Sequence, residues 1–167
     1  MNQYRKGPGA GGGQPYRQGG RDSQPSRGGS NEPAASMDLS RVRFATAEGQ
    51  ALDADLFAAV AERCARTVGD VNKKFNKPSQ LRKFYDELCM WDERVRAEPQ
   101  KFGEFLPFIR MLNAKAAYAK GRELVDANYE ALMNHCLKEV SSTETLHRCK
   151  TFFEAFMGYY KVVRDRD

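Results

Sequence analysis

The sequence predicts an all-α protein, a compact single-domain bundle of about five helices with a disordered N-terminal tail. From residue 50 onward, apolar residues recur at intervals of three and four, which is the period of an amphipathic helix. No segment alternates apolar and polar residues over the length of a strand, and the connections are short. The tail is predicted to end at residue 36, because nine of the 14 glycines precede Met37 and almost every large apolar residue follows it.

Residues 1–36 are rich in Gly, Gln, Arg and Pro. They offer too few apolar groups to offset the entropy of ordering, which predicts disorder. The segment carries five basic residues against two acidic ones, and arginines lie close to Tyr4 and Tyr16, as in Gly/Arg-rich segments that contact RNA. The simpler alternative is a flexible linker that contributes only diffuse charge. Residues 37–167 are the predicted helical-bundle domain.

Two helices are predicted in the first half of this domain. Asp53 is expected to cap the first, which ends at Gly69 and Asp70. Its predicted core residues are Leu56, Val60, Cys64 and Val68. The second helix begins at Pro78, which suits a first helical position, and Pro99 closes it. Its predicted core residues are Leu81, Phe84, Leu88, Trp91 and Val95.

The third predicted helix runs from about Phe105 or Pro107 to Lys120 and is stopped by Gly121. At 100° per residue, its apolar arc is predicted to consist of Phe108, Met111, Leu112, Tyr118 and Ala119. Lys115 falls in the middle of that arc, and Arg122 lies two turns further on the same line. A lysine within an apolar arc either extends its ammonium group into solvent or meets an anion.

Two more helices complete the predicted bundle. The fourth begins near Asp126, and the fifth is capped by Ser142. The predicted core residues of the fourth are Tyr129, Leu132, Cys136 and Val140. Those of the fifth are Leu146, Cys149, Phe153, Phe156 and Tyr160.

The residue pattern argues against enzymatic chemistry. The histidines, His135 and His147, lie near no nucleophile motif, and no phosphate-binding or dinucleotide-binding glycine motif is present. The four cysteines lack the close spacing of a zinc site and are expected to be reduced, buried thiols, although a zinc site across two helices is conceivable. We therefore expect no cofactor, no metal and no catalysis. No apolar run approaches the ~18 residues of a membrane span and no secretory signal is visible, so we expect a cytoplasmic protein.

Basic residues are concentrated in two stretches that lack acids. The chain has a net charge of +5 and a pI of about 9.1, which favours polyanionic partners. Between Asp70 and Asp86 lie Lys73, Lys74, Lys77, Arg82 and Lys83. Between Glu104 and Glu123 lie Arg110, Lys115, Lys120 and Arg122. Lysine and arginine neutralise phosphates without regard to sequence, so a nucleic-acid binder is the natural interpretation.

Three blocks of sequence resemble the small subunit of type III-A CRISPR effector complexes, the Csm complexes. They are KPSQLRKFYDEL (Lys77 to Leu88), FLPFIRMLNAKAAYAKGR (Phe105 to Arg122) and EAFMGYYK (Glu154 to Lys161). The resemblance runs from about Leu52 to Lys161, and the second block is the most specific. It implies a compact helical bundle that binds no cofactor and catalyses nothing.

The resemblance also implies a place in antiviral defence. Members assemble in several copies beside the backbone subunits and line the groove where target RNA pairs with guide RNA, while the chemistry belongs to the backbone and large subunits. The residues that it assigns to the RNA backbone are Arg82, Lys83, Lys115, Lys120 and Arg122. Pairing of Arg82 with Asp86 and of Lys83 with Glu87 explains two of them without RNA. The alternative function is a helical protein–protein adaptor without direct nucleic-acid contact.

Overall fold

The computed structural model describes residues 36–48 and 50–165, and within these residues it contains helices and no strands. The α-helices are α1 (Ala61–Gly69), α2 (Pro78–Ala97), α3 (Phe102–Gly121), α4 (Ala127–Glu139) and α5 (Thr143–Asp165). The predicted all-α class and the number of helices are confirmed. The predicted disordered tail, residues 1–36, lies outside the described residues except for Ser36.

Helix α5 is the centre of the bundle and packs against α1 and α2, whereas α3 packs mainly against α4. Its buried side includes four large aromatic residues whose rings contact one another, Phe152, Phe153, Phe156 and Tyr160. Large apolar surfaces of this kind supply most of the free energy that holds a helical bundle together. Helices α1 and α5 approach each other closely at Gly69. A Cβ atom added there would lie only 2.5 Å from Val163 Cγ1.

The predicted core residues of the first, second, fourth and fifth helices are all buried, so the helical period identified those faces correctly. The predicted start of the fourth helix near Asp126 and the predicted cap at Ser142 are confirmed as well. Asp126 accepts a hydrogen bond from the Tyr129 amide at 2.9 Å, and the Ser142 hydroxyl accepts one from the Thr145 amide at 3.2 Å. Both bonds satisfy amides that have no partner within the helix.

The predicted cap at Asp53 is wrong. A π-helical turn, Leu56–Val60, precedes α1, and Asp55 occupies the capping position without a side-chain bond. The Asp53 carboxylate instead accepts the Asp55 amide at 3.0 Å and the Arg41 guanidinium at 2.8 and 2.9 Å. The turn that Asp53 forms with Asp55 and its pairing with a distant arginine occupy the oxygens that a cap would use.

Helix α3 begins at Phe102, one turn before the predicted start, after a short 3₁₀ turn at Pro99–Lys101. Pro107 therefore lies inside the helix and not at its start. A proline there has no amide to donate to the Gly103 carbonyl, but Gly103 is exposed and its carbonyl can bond to water. The missing bond lies near the helix terminus, where its absence disturbs the helix least.

A segment before the first helix, residues 36–48, is irregular and packs on the bundle, which the helical period could not predict. Val42 and Phe44 are fully buried. His135 Nε2 donates to the Val42 carbonyl at 2.7 Å, and Arg148 Nη1 donates to the Phe44 carbonyl at 2.7 Å. Both carbonyls thus meet side chains of α4 and α5, which satisfies backbone groups that lie outside any helix.

Deleting residues 1–36 is expected to leave the thermal unfolding midpoint nearly unchanged, because the one described bond that it removes joins the exposed Ser36 amide to Asn128. The matched variant within the packed segment is Val42→Ala, which removes a fully buried side chain and should lower the free energy of unfolding by about 1–3 kcal/mol. Chemical denaturation of both proteins tests the domain boundary. A large destabilisation on truncation would show that residues before 37 pack on the domain.

Candidate nucleic-acid interface

The buried face of helix α3 coincides with the predicted apolar arc only at Leu112 and Ala119. The buried residues are Phe105, Ile109, Leu112, Ala116 and Ala119. Phe108, Met111 and Tyr118 are 54%, 52% and 64% exposed, so this part of the predicted apolar arc faces outward. The helix is apolar around most of its circumference, and the period alone cannot show which side meets its neighbours.

The exposed side of α3 forms a ridge, defined by Phe108, Met111, Lys115, Tyr118 and Arg122, which follow one another at intervals of three and four. Lys115 therefore stands within an exposed apolar surface and not within the core. Arg122 Nη1 donates to the Tyr118 hydroxyl at 2.9 Å, and its guanidinium lies 5.7 Å from the centre of the Tyr118 ring. The ridge thus carries two cations beside an ordered aromatic ring.

A groove between α2 and α3, with a volume of about 460 Å³, runs beside this ridge. We call it the α2–α3 groove and define it by Lys83, Phe84, Glu87, Met111, Lys115 and Tyr118. Most of its remaining lining is apolar. Lys83 belongs to α2 and Lys115 to α3. The fold therefore brings together two basic residues that are 32 positions apart in the sequence (115 − 83).

Glu87 is the acidic residue of this groove. Both of its carboxylate oxygens lie 2.7 Å from Lys115 Nζ, and its side chain is 23% exposed. The sequence suggested Lys83 as its partner, four residues away on α2, but the structure pairs it with α3. In the part of the chain that the structure describes, Lys83 makes no ion pair, and its ammonium group is available to an anion.

Arg82 and Lys120 lie outside the α2–α3 groove. Arg82 pairs with Asp86 at 2.7 Å, as the sequence suggested, and this contact raises the pKa of the guanidinium. It borders a second groove, between α2 and α5. Lys120 pairs with Glu130 of α4 at 2.8 Å. Of the five residues that the resemblance assigns to RNA, Lys83 and Lys115 therefore lie in one groove. Arg122 lies beside that groove, because it is bonded to Tyr118, which lines it.

Several of the remaining reactive side chains are buried or paired. Burial raises the pKa of the Cys64 thiol to about 11 and that of Cys136 well above its ordinary value, so both thiols stay protonated at neutral pH. His147 Nδ1 contacts the buried carboxylate of Asp92 at 3.1 Å.

Among the described residues, no group of three or more His, Cys, Asp or Glu side chains could hold a metal ion. None of the helices in the described ranges has the length and apolar character needed to cross a bilayer.

These features define a class, a small basic helical-bundle protein whose cations border an apolar groove. Residues 51–166 match the protein family described as Csm2 Type III-A, and the chain belongs to that family, the small subunit of type III-A CRISPR complexes. It is also similar to the CRISPR system Cms protein Csm2 of Streptococcus thermophilus. The two are 32% identical over 93 residues, which cover 53% of this chain and 74% of that protein. The predicted resemblance is confirmed, and no solved structure matches the chain.

Proposed function

We propose that this chain is a non-catalytic RNA-binding subunit that lines the groove where target RNA pairs with guide RNA in a type III-A effector of antiviral defence. Its partners would be the two RNAs, the backbone and large subunits of the complex and further copies of itself, in the cytoplasm and without a cofactor. The observation that carries the proposal is the convergence of Lys83 and Lys115, from two helices, on one groove of a family member. Arg122 extends the same positive surface along the ridge.

The mechanism is electrostatic. Lysine and arginine neutralise phosphates and release the counterions that surround the RNA, which favours binding to any sequence. Base pairing between guide and target reads the sequence, so the protein needs only to hold the backbone. Glu87 fits this mechanism as an internal partner that holds Lys115 until a phosphate replaces it. The Lys115 side chain is about half exposed and its ion pair is accessible to solvent, so exchange for a phosphate costs little.

The adaptor function is the second candidate, and the exposed apolar side chains of the ridge favour it. Phe108, Met111 and Tyr118 lie on one face of α3, where an apolar partner could cover them. Salt concentration separates the two functions. Binding to phosphates weakens steeply as salt rises, whereas apolar docking does not.

Replacing Glu87 by Gln is expected to strengthen binding to single-stranded RNA about two- to fivefold at ~0.1 M salt, because it frees Lys115 for a phosphate. The slope of log affinity against log salt should stay nearly the same, because Lys115 neutralises one phosphate in both proteins and the variant removes only its internal competitor. The measurement is an RNA titration of the full chain at several salt concentrations. Wild-type binding that is weak and independent of salt would favour the adaptor.

The matched control is Asp86→Asn, which makes the same change in charge one residue away and frees Arg82, outside the α2–α3 groove. We expect it to raise affinity less than Glu87→Gln does. Equal gains from the two variants would show that the RNA responds to overall charge and does not occupy this groove.

A further inference from the structure

We propose that the α2–α3 groove holds one unpaired nucleobase of single-stranded RNA, stacked on Tyr118, with the adjoining phosphates on Lys83, Lys115 and Arg122. This proposal rests on the RNA-binding function and adds a contact to the bases. It assigns a role to the aromatic and apolar part of the site, which phosphate neutralisation leaves unexplained.

Tyr118 has the properties of a stacking platform. Its side chain is 64% exposed, and its hydroxyl accepts a hydrogen bond from Arg122 at 2.9 Å, which restricts the orientation of the ring. A ring that is already oriented loses little entropy when a base stacks on it. Aromatic side chains bind the faces of all bases, so this contact is compatible with a protein that does not read sequence.

The groove is large enough to hold a single heterocycle. At about 460 Å³ it falls within the size range of small-molecule sites, and its floor is apolar, with Phe84 only 5% exposed. Met111 and Leu124 add flexible apolar surface at its sides. A planar base could displace water from these surfaces while its sugar and phosphate stay in solvent.

The charges around the groove favour a nucleotide over an apolar peptide. Lys83, Lys115 and Arg122 supply three positive charges against one negative charge from Glu87, a local excess of two. An occupant that is flat and apolar at one end and anionic at the other satisfies both the floor and the rim. An uncharged apolar segment of a protein would fill the floor and leave the net positive charge around the groove unmatched.

The test compares Tyr118→Leu with Tyr118→Phe in the full chain, using a single-stranded oligouridylate RNA and a strand of equal length that lacks the bases. Leucine retains apolar surface but no ring, and we expect it to weaken binding to the RNA about five- to tenfold. Phenylalanine keeps the ring and should bind within about twofold of the wild type. The salt slope should be the same for all three proteins, because each keeps the same lysines and arginines for the phosphates.

The strand without bases should bind wild type and Tyr118→Leu equally. A further control is Phe108→Leu, which removes an exposed ring of α3 that stacks on Trp91, at 6.2 Å and 19°, and does not line the groove. It should not weaken RNA binding. Equal weakening in Tyr118→Leu and Phe108→Leu would overturn the proposal, and so would equal wild-type affinity for the two strands, which would show that phosphate contacts alone hold the RNA.

Failure of this proposal differs from failure of RNA binding as a whole. If phosphate contacts alone hold the RNA, the wild type keeps a steep salt slope while Tyr118→Leu binds both strands normally. If the protein does not bind RNA through this surface, the wild-type slope is itself near zero on both strands.

Discussion

Replacing Asn76 by Ala is expected to lower the free energy of unfolding by about 3–5 kcal/mol, measured by chemical denaturation. Asn76 lies in the loop between α1 and α2 and is fully buried. Its side-chain amide donates to the Val68 carbonyl at 3.0 Å and to the Asp126 carboxylate at 2.9 Å, and its side-chain oxygen accepts the Asp126 amide at 2.9 Å. Alanine would leave three buried polar groups without these partners.

The backbone of Asn76 adds to this effect. Its φ is 53°, a left-handed conformation that Asn tolerates and Ala adopts only with strain. The Asn76 amide donates to the Leu124 carbonyl at 3.0 Å, and the Asn76 carbonyl accepts a hydrogen bond from the Tyr160 hydroxyl. This one residue therefore joins the end of α1, the start of α4 and the C-terminal part of α5.

Two controls separate these contributions. Asn72→Ala alters an exposed asparagine of the same loop, whose side chain accepts the Lys74 amide at 3.0 Å, and should cost less than about 1 kcal/mol. Asn76→Gly removes the same hydrogen bonds without backbone strain and should be less destabilised than Asn76→Ala by about 1 kcal/mol. Destabilisation of Asn76→Ala no larger than that of Asn72→Ala would show that the buried bonds contribute little.

Most of the fold could be predicted, because a helix with one apolar face has apolar residues at intervals of three and four in its sequence. In α2, the residues from Leu81 to Val95 recur at intervals of three and four, and all five lie in the core. Helix α3 lacks such asymmetry, and packing against α4 decided its buried face. Residues 36–48 have no helical period, so the burial of Val42 and Phe44 could only be found in three dimensions.

The candidate site was less predictable than the fold, because its contacts join distant residues. The resemblance to the family, applied to the two basic stretches, identified Lys83, Lys115 and Arg122 as candidates. It could not show that Glu87 pairs with Lys115 across two helices, since the pattern within α2 favours a pair with Lys83 four residues away. The exposure of Tyr118 depends on the rotation of α3, which the sequence left undetermined.

The second large effect is expected when Lys83, Lys115 and Arg122 are changed together to Ala. Affinity for single-stranded RNA should fall by roughly 100-fold at ~0.1 M salt, or about fivefold for each phosphate that is no longer neutralised. The slope of log affinity against log salt should flatten by about 2 in total, to a similar extent for unrelated RNA sequences. Because the three residues are exposed and Ala favours helix, the unfolding midpoint should change little.

The matched control removes three other positive charges, which neither line the α2–α3 groove nor are assigned to RNA, in Arg66→Ala, Lys101→Ala and Lys161→Ala combined. Arg66 and Lys101 each leave an acidic partner behind, as Lys115 does, so both variants share that effect. Titrations of both variants, alone and in the assembled complex, should show a much smaller decrease in affinity for the control. Equal decreases would mean that RNA follows the net charge of the protein. If the groove variant holds target RNA as tightly as wild type with the same slope, these three residues are not the RNA site, Lys115 serves only its ion pair with Glu87, and the adaptor function is favoured.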